Sequence, residues 1–375
     1  MTPLDAAALA SGTAILGGLG LVLRNLHRLE ELPADPPPSS ASVCLCIPAR
    51  DEAREIGGAL ASWLAQDHPA LRIVVVDDGS ADATPEILRG LADPRMRVIR
   101  NETLPPGWLG KNHALDLATR TREAQDADWL LFADADVHAS PELLRRALAH
   151  AEATGTDVLA LVPGQDTGSF GERLLLPVLA AGFLAAVPAD KVAKPGHPAF
   201  AGIGAFTLVR RTAYEAFGGH AAAPLEAIDD MMLARRAKAA GFGNRVARGG
   251  PALHLRMYGS GWEAVRALRK NVLALPGAAL LFPVAAPLSL AVWLAPLWLP
   301  FAGWPILAAL LWLLVPAVVA EAHQRLTGRP ADPAWALWPL AGPALVIGAL
   351  PALWDRIRGV NRWRNRDVRL SNPTD

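Results

Sequence analysis

The sequence predicts an α/β domain with a mostly parallel sheet, joined to segments that span a membrane. Between residues 43 and 132, short continuous apolar runs alternate with helical periodicity, which is typical of strands covered by helices on both faces. Residues 6–23, 272–320 and 334–354 contain no charged side chain, whereas a spanning helix needs only about 20 apolar residues. The chain is therefore predicted to be an integral membrane protein.

The elements of the α/β domain follow in a regular order. Residues 43–47 predict a buried strand, and Ile56, Leu60 and Leu64 give the apolar period of the helix after it. The alternation continues with a strand at 71–76, a helix at 85–91, a strand at 97–99, a helix at 112–124, a strand at 129–132, a strand with a glycine turn at 201–211 and a helix at 231–240.

The apolar segments and their flanks predict membrane topology. Asp5 precedes the first apolar run and no basic residues start it, so we expect a retained anchor rather than a signal peptide. Arg24 and Arg28 follow that run, and six arginines follow the last one, which predicts that both flanks are cytosolic at a bacterial inner membrane. Residues 272–354 then cross an even number of times, although three segments are eligible. Either 272–284 or 334–354 is expected to lie in the interface.

These boundaries divide the chain into five predicted regions: an anchor (1–31), a Pro/Ser linker (32–42), a cytosolic catalytic domain (43–271), a C-terminal membrane region (272–354) and a basic cytosolic tail (355–375).

Charge and cysteine content exclude some classes of protein. The 36 basic and 36 acidic side chains give zero net charge, which argues against a protein that binds nucleic acid. Cys44 and Cys46 lie two apart on a predicted strand and so share one face. We expect them to be reduced core residues, because this spacing is neither a disulfide framework nor a zinc site.

Carboxylates end three of the predicted strands. Asp77 and Asp78 end one, Asp134 and Asp136 follow another, and Glu52 follows the first. Ligands of such sheets bind at the carboxyl ends of the strands, so these acids are predicted to share one edge. Buried acids there need a metal ion, a substrate or solvent as their partner. No G-x-G-x-x-G or P-loop pattern is present, which excludes the common dinucleotide and triphosphate sites.

Five motifs resemble the family 2 glycosyltransferases, which have a GT-A fold and use nucleotide-sugar donors. They are IPARDEA (47–53), VVVDDGSADAT (74–84), GWLGKNHAL (107–115), FADADV (132–137) and IDDMMLARRAKAAGF (228–242). The segments PPGWLGKNHAL and LRMYGSGWEAVRALRKN are most similar to the hopene-associated glycosyltransferases of bacterial hopanoid biosynthesis.

The resemblance implies roles for the residues that match these motifs. Asp230 would be the general base, Asp136 a metal ligand, and Asp134 a contact of the ribose or the metal. The nucleotide-sugar site would comprise Pro48, Ala49, Glu52, Asp77, Asp78 and Asp134, with Asp77 bound to the base ring. Lys111, in a loop that faces the same edge, is either a further member of this site that contacts the pyrophosphate or a surface lysine.

The chain departs from the family pattern at the acceptor side. No Q-x-x-R-W segment follows Asp230, so Arg256 and Arg269 are possible substitutes that contact the acceptor or diphosphate. Gly204 and Asp229, which stands where the family usually has Glu, are expected near the same groups. The alternatives stay open: the arginines could be membrane-surface residues, and Asp229 and Asp230 could simply favour a helix N-terminus.

Together these features predict an inverting, metal-dependent transferase that moves a sugar from a UDP-sugar to a membrane lipid, a hopanoid by resemblance. Mn²⁺ or Mg²⁺ suits carboxylates and phosphate oxygens, and a single carboxylate can deprotonate the acceptor hydroxyl. Residues 168–188 predict either an interfacial helix near the acceptor or a core helix. Alternative functions are a non-catalytic membrane scaffold with a degenerate transferase domain, and a polysaccharide synthase.

Overall fold

The computed structural model describes residues 1–226, 228–266, 278–357, 362–363 and 366–367. The chain forms two compact units. The α/β unit comprises Arg28–Gly164 and Val187–Arg256, and the helical unit comprises Met1–His27, Gln165–Ala186 and Met257–Asp375. Residues 165–186, which lie inside the predicted domain at 43–271, belong to the helical unit, and the five predicted regions stay a prediction.

A mixed sheet forms the α/β unit. Its strands lie in the order β1-β9-β7-β8-β5-β2-β3-β4, with β6 paired to β9. Strands β2 to β5 run parallel, and β8 pairs antiparallel with β5 and β7. The predicted α/β fold with a mixed sheet is confirmed. The strands are β1 Glu30–Glu31, β2 Val43–Ala49, β3 Leu71–Asp77, β4 Met96–Arg100, β5 Trp129–Phe132, β6 Val137–Ala139, β7 Val158–Gln165, β8 Thr207–Arg210 and β9 Asn244–Leu255.

Helices connect these strands and build the helical unit. In chain order they are α1 Pro3–Arg28, α2 Ile56–Leu64, α3 Thr84–Gly90, α4 Gly110–Thr119, α5 Arg122–Gln125, α6 Leu143–Ala153, α7 Phe170–Ala186, α8 Ala189–Val192, α9 Arg211–Ala216, α10 Asp229–Ala239, α11 Ala278–Trp293, α12 Ala295–Trp298, α13 Pro305–Thr327 and α14 Ala341–Ile357. Short 3₁₀ helices cover His220–Ala222 and Pro333–Leu340.

The two faces of the sheet bury separate apolar clusters. Leu45 and Ile47 pack on one face with Trp63, while Cys44 and Cys46 pack on the other. All five side chains are fully buried. Both cysteines are free, as predicted. Burial on both faces explains why β2 reads as a continuous apolar run rather than as an alternating one.

The predicted helix over 112–124 is wrong in one respect, because the structure divides it. Helix α4 ends at Thr119 and α5 begins at Arg122. Between them, Thr121 adopts an extended conformation and its side chain accepts a hydrogen bond from the Ala124 backbone N–H. A threonine at this position caps a new helix, which ends the first one.

The predicted Pro/Ser linker at 32–42 is held against the α/β unit. Arg146 Nε donates to the Pro33 carbonyl at 2.7 Å, and Arg145 Nη1 donates to the Pro36 carbonyl at 2.5 Å. Strand β1 pairs with β9 directly before this segment. The Pro33 and Pro36 carbonyls of the segment 32–42 therefore have hydrogen-bond partners within the α/β unit, unlike the carbonyls of a free linker.

Among its described residues, the helical unit has three helices that are long and apolar enough to cross a membrane: α1, α13 and the segment Pro333–Pro351. The apolar helix Phe282–Trp293 is shorter. Helix α7 packs against α13 and α14 of its own unit, and both alternatives for 168–188, an interfacial helix and a core helix, stay predictions. Asn25, only 1% exposed, donates from Nδ2 to the Leu184 and Ala185 carbonyls and so caps the end of α7.

Candidate active site

The carboxyl ends of the parallel strands carry the predicted acids. Strand β3 ends at Asp77, and the loop after β5 carries Asp134 and Asp136. The loop after β8 and α9 leads to Asp229 and Asp230, which start α10. The parallel strands β3 and β5 leave the sheet at this edge, whereas the antiparallel β8 starts there. The chain after β8 and α9 comes back to the same edge at Asp229 and Asp230.

A cluster of opposite charges joins the β5 loop to the start of α10. Lys111 Nζ lies 2.8 Å from Asp134 Oδ1 and 3.3 Å from Asp229 Oδ1. The Gly204 carbonyl accepts a hydrogen bond from the Asp134 backbone N–H at 3.0 Å. A Cβ atom on Gly204 would lie 2.7 Å from Asp134 Oδ2, so only glycine fits there without displacing the carboxylate. The structure thus brings four predicted site residues together.

Helix α4 places Lys111 in this cluster. Asn112, the next residue, donates from Nδ2 to the carbonyls of Ala223, Pro224 and Glu226, in the loop before α10. The first turn of α4 is therefore tied to the segment that carries the acids of α10. This explains why GKN forms part of the motif: the lysine supplies the charge and the asparagine fixes the loop.

A cleft opens between these groups and encloses about 270 Å³, including open solvent. The polar cluster described above forms one part of its lining, and apolar side chains form the rest. The lining residues are Pro48, Lys111, Leu115, Phe132, Ala133, Asp134, Ile203, Gly204, Thr207, His220, Asp229, Asp230 and Leu233.

Asp230 has the electrostatic properties of a base. Burial, followed by the charge of Asp229, raises the pKa of the Asp230 carboxyl to about 6, while Lys111 and the Met231 N–H act in the opposite direction. Met231 N donates to Asp230 Oδ1 at 2.8 Å. A carboxylate with a raised pKa accepts a proton more readily and is still ionised at neutral pH.

Lys111 is the counter-charge of this site. Burial opposes its charge, but the carboxylates of Asp134, Asp229 and Asp230 outweigh burial and hold the pKa of Lys111 well above its usual range. The ammonium is therefore charged at neutral pH. Its position between two carboxylates suits a group that contacts a phosphate.

The acids around Asp136 fit a divalent cation. Burial raises the pKa of the Asp136 carboxyl to about 7, and the charges of Asp134 and Glu52 add to the effect. A cation would relieve this repulsion. Among the described residues there is no group of three or more His, Cys, Asp and Glu side chains that could hold a metal. Mg²⁺-type ions commonly use one or two protein carboxylates and complete their shell with substrate phosphates and water, so Asp134 and Asp136 still fit.

The predicted nucleotide-side residues have structural partners in this structure. Asp77 Oδ1 accepts from the Ser80 backbone N–H at 2.9 Å, and Asp77 also forms an ion pair with Arg100. Asp78 Oδ1 accepts from Asn101 Nδ2 at 2.8 Å. Both aspartates are buried. They fix the loop after β3, and their contact with a nucleotide base stays a prediction.

The first strand end contributes Pro48, Ala49 and Glu52. Pro48 lines the cleft, and the Ala49 carbonyl accepts from the Asp78 backbone N–H at 2.8 Å. The backbone N–H of Glu52 donates to Thr84 Oγ1 at 2.8 Å. Arg256 follows β9 and is absent from the cleft lining, and Arg269 lies outside the described residues.

Sequence reasoning missed His220 and Tyr214. His220 lines the cleft, and Tyr214 Oη lies 2.8 Å from its Nδ1. The only sequence signal is a histidine after the pair Gly218 and Gly219, ahead of the α10 acids. A single histidine in a loop gives no spacing from which to predict a site.

Comparison with known proteins gives matches to glycosyltransferases. Residues 44–218 match the family model Glycosyl transferase family 2. The succinoglycan biosynthesis protein ExoO of Rhizobium meliloti (strain 1021) is 36% identical over 117 residues, which are 31% of this chain and 31% of that protein. The match thus spans about a third of the relative's length.

The comparison with solved structures gives a match with a TM-score above 0.5 and more distant ones below it. The mannosyltransferase PcManGT from Pyrobaculum calidifontis, in complex with GDP-Man and Mn²⁺, has a TM-score of 0.57 at 21% identity, over 94% of this chain and 99% of that chain. S. aureus TarS 1–349 in complex with UDP-GlcNAc is more distant, with a TM-score of 0.42 at 13% identity over 88% of this chain and 97% of that one.

The sheet order, the acids at its carboxyl edge and the family match all agree with the motifs of the sequence. The predicted GT-A-like fold and the predicted enzyme class, a glycosyltransferase, are confirmed. Residues 44–218 therefore match the Glycosyl transferase family 2 model and fold into a GT-A-like mixed sheet.

Proposed function

We propose that the protein is a membrane-bound, inverting glycosyltransferase that moves a sugar from a nucleoside-diphosphate sugar to a lipid alcohol. UDP is the proposed nucleotide, Mn²⁺ or Mg²⁺ the proposed cofactor, and a hopanoid the proposed acceptor. One observation carries the proposal: Lys111, Asp134, Asp229 and Asp230, from three separate segments, line one cleft at the carboxyl edge of the sheet.

The donor end of the cleft is assigned to Asp134, Asp136 and Lys111. When bound, a divalent cation would neutralise the charge that develops on the leaving diphosphate. Asp136 and Asp134 would hold it, since their carboxyls lie among acids that a cation would balance. Lys111 would contact the pyrophosphate directly. Pro48, Ala49, Glu52, Asp77 and Asp78 are proposed to form the nucleotide side, because they build the adjoining strand ends.

The acceptor end is assigned to Asp230. Its raised pKa allows it to take the proton of an acceptor hydroxyl as that oxygen attacks the anomeric carbon. Attack opposite to the leaving diphosphate inverts the configuration in a single step. Asp229 would keep Lys111 in place, and Gly204 would leave room beside Asp134. We retain Arg256 and Arg269 as weaker proposals for contact with the acceptor or diphosphate.

The proposed lipid acceptor and membrane location rest on the helical part of the chain. Three helices are long and apolar enough to cross a membrane, and arginines flank the first and last of them, which favours a cytosolic catalytic unit at a bacterial inner membrane. Hopanoid as the acceptor rests on the resemblance of PPGWLGKNHAL and LRMYGSGWEAVRALRKN to the hopene-associated group.

A second candidate function is addition of a sugar during polysaccharide assembly. It is favoured by the local identity to a protein named for succinoglycan biosynthesis. In that case the acceptor would be a saccharide, free or carried by a lipid. The reaction at the cleft would be the same, so the acceptor alone separates the two candidates.

Sugar transfer by the purified full-length protein tests the proposal. The protein, in detergent with Mn²⁺, is incubated with radiolabelled UDP-glucose, UDP-N-acetylglucosamine or GDP-mannose and with either a hopanoid alcohol or a lipid-linked saccharide. We expect a single sugar to be added to the hopanoid. Asp136→Ala should reduce the rate by about 10²-fold or more, because it removes a metal ligand. The matched control is Asp126→Ala, an aspartate on the surface of the same unit, which should leave the rate unchanged.

The outcomes separate the candidates. Transfer to the saccharide alone would favour polysaccharide assembly. No transfer with any pair would contradict catalysis and favour the scaffold alternative. Equal transfer by Asp136→Ala and an active parent would contradict the role of Asp136 as a metal ligand.

A further inference from the structure

His220 lies in the cleft wall, although no motif predicted it. It follows Gly218 and Gly219 and starts a short 3₁₀ helix. Its side chain is only 4% exposed, yet it lines the same cleft as Lys111 and Asp230. A buried polar ring in the wall of a substrate cleft needs partners for both of its nitrogens.

Tyr214 fixes the orientation and the tautomer of the ring. The backbone N–H of His220 donates to Tyr214 Oη at 3.0 Å, and Oη lies 2.8 Å from His220 Nδ1. Oη accepts from the backbone N–H, and we assign its own proton to Nδ1. With this assignment the imidazole proton is on Nε2. Phe132 packs edge-on against the ring, with centroids 4.9 Å apart.

The ring is neutral under working conditions. Burial lowers the pKa of His220 to about 4, Asp229 acts in the opposite direction, and Lys111 adds to the lowering. A neutral imidazole with its Nδ1 occupied offers one hydrogen-bond donor. It can therefore bind a hydroxyl or carbonyl oxygen without adding charge to the cleft.

The position of His220 indicates which part of the substrate it meets. In a single displacement the sugar lies between the leaving diphosphate and the base. In this cleft the proposed diphosphate contact is Lys111 and the proposed base is Asp230, and His220 shares a wall with both. We propose that Nε2–H of His220 donates a hydrogen bond to a hydroxyl of the transferred sugar, so that His220 determines which sugar is accepted; this inference rests on the proposed function.

Paired binding measurements test this role. With Mn²⁺ present, purified full-length protein is titrated with UDP-glucose, UDP-N-acetylglucosamine and GDP-mannose, each compared with its free nucleoside diphosphate. For the sugar that the parent binds best, His220→Phe should weaken binding about tenfold and leave the free diphosphate within about twofold. His220→Gln retains an N–H donor and should recover most of the loss.

Tyr214→Phe is the second variant, because it removes the hydroxyl that holds the ring and leaves the imidazole in place. We expect a smaller loss, about threefold, again for the nucleotide sugar only. Melting temperatures of all three variants report whether they fold. An equal loss for the sugar and the free diphosphate, or no loss in His220→Phe, would overturn the role of His220 alone. If the parent bound no nucleotide, the proposed function would fail as well.

Discussion

Lys111 connects the donor and acceptor ends of the cleft at the scale of single residues. Its ammonium contacts Asp134 at 2.8 Å and Asp229 at 3.3 Å, and these carboxylates come from different loops. Without it, the carboxylates would repel each other in a partly dehydrated cleft. A lysine at this position therefore both stabilises the empty site and supplies a cation for the diphosphate.

Lys111→Met should weaken donor binding about 10- to 100-fold, because a charge-assisted contact with the pyrophosphate is lost. Equilibrium binding of UDP and UDP-sugars with Mn²⁺ measures the change. The matched control is Lys194→Met, an exposed lysine in the same unit. Unchanged affinity in Lys111→Met would show that the ammonium does not touch the donor.

The raised pKa of Asp230 predicts how the rate of sugar transfer depends on pH. The pKa of its carboxyl is raised to about 6, so the proposed base would be protonated and inactive below that pH. Sugar transfer at saturating Mn²⁺ and donor, where the cation keeps Asp136 ionised, should therefore fall on the acid side of about pH 6 and stay constant from there to about pH 8. Asp230→Asn should lose about 10²- to 10⁴-fold in turnover, with donor binding retained.

The same pKa fixes the sign of the stability effect. Because the native pKa is higher than the ordinary aspartate value of 3.8, the native state binds more protons between the two values, and its stability falls as pH rises through about 6. At pH 8 the buried, ionised Asp230 thus lowers the free energy of unfolding, whereas the uncharged side chain in Asp230→Asn does not. The melting temperature of Asp230→Asn at pH 8 should equal or exceed that of the parent; a large decrease would contradict this assignment.

The sequence motifs predicted which residues belong to the site, because they occur at short, recognisable spacings. They did not predict which side chains from distant segments contact each other. The motifs indicated Asp134, Asp229 and Lys111, and the structure brings these together. The ion pair of Asp77 with Arg100 had no sequence signal, because it depends on the parallel register of β3 and β4. His220 was not predicted either, because a single histidine in a loop gives no spacing from which to predict a site.

At the scale of elements, the loop before β8 sets the position of helix α10. Gly202 lies so close to α10 that a Cβ atom would be 1.9 Å from the Asp230 carbonyl oxygen and 3.0 Å from the Met231 nitrogen. Both neighbours are backbone atoms and cannot turn away. The glycine thus allows the loop and the first turn of α10 to touch, and so determines where the base lies.

Gly202→Ala should displace the start of α10 and lower turnover about 10²-fold, since misplacing a catalytic group by about 1 Å can cost that much. Binding of the free nucleoside diphosphate should change little, because Lys111 is on α4. Turnover and nucleotide affinity are measured on the same preparation. Gly90→Ala, at the end of α3 with open space around it, is the control. Full turnover of Gly202→Ala would show that the loop before β8 moves instead of helix α10, and that Gly202 does not determine the position of Asp230.

Element positions were predicted well, and element ends and unit boundaries less so. The strand at 129–132 was predicted with the ends it has in the structure. The break between α4 and α5 depends on Thr121, a single capping residue in a helical pattern. That residues 165–186 fold with the helical unit depends on packing against distant helices, which apolar composition alone does not reveal.

At the scale of the whole molecule, two contacts determine the relative direction of the membrane helices. Trp304 Nε1 donates to Asp5 Oδ1 at 3.3 Å, next to the starts of α13 and α1. Arg325 Nη2 lies 3.3 Å from His27 Nε2, near the ends of the same two helices. Helices α1 and α13 are therefore parallel. If α1 enters the cytosol at its C-terminal end, α13 does so too.

Parallel α1 and α13 restrict how the C-terminal region can cross. With the α/β unit in the cytosol, the chain must reach the outer face before Trp304, so α11 and α12 have to make that crossing despite the short length of α11. Helix α13 then returns to the cytosol. A cytosolic basic tail requires that Pro333–Pro351 does not cross, which is the interfacial alternative for 334–354.

Labelling of single cysteines tests this topology. Native Cys44 and Cys46 are fully buried, so the parent should react little with a membrane-impermeant maleimide. Thr2→Cys and Phe301→Cys should label in intact cells, because both positions precede helices that run into the cytosol. Ala331→Cys and Ser371→Cys should label only after permeabilisation. Labelling of Thr2→Cys and Phe301→Cys from opposite sides would contradict parallel α1 and α13. Labelling of Ser371→Cys in intact cells would show instead that Pro333–Pro351 crosses, because the tail can be reached from outside only if the last helix carries it through the membrane.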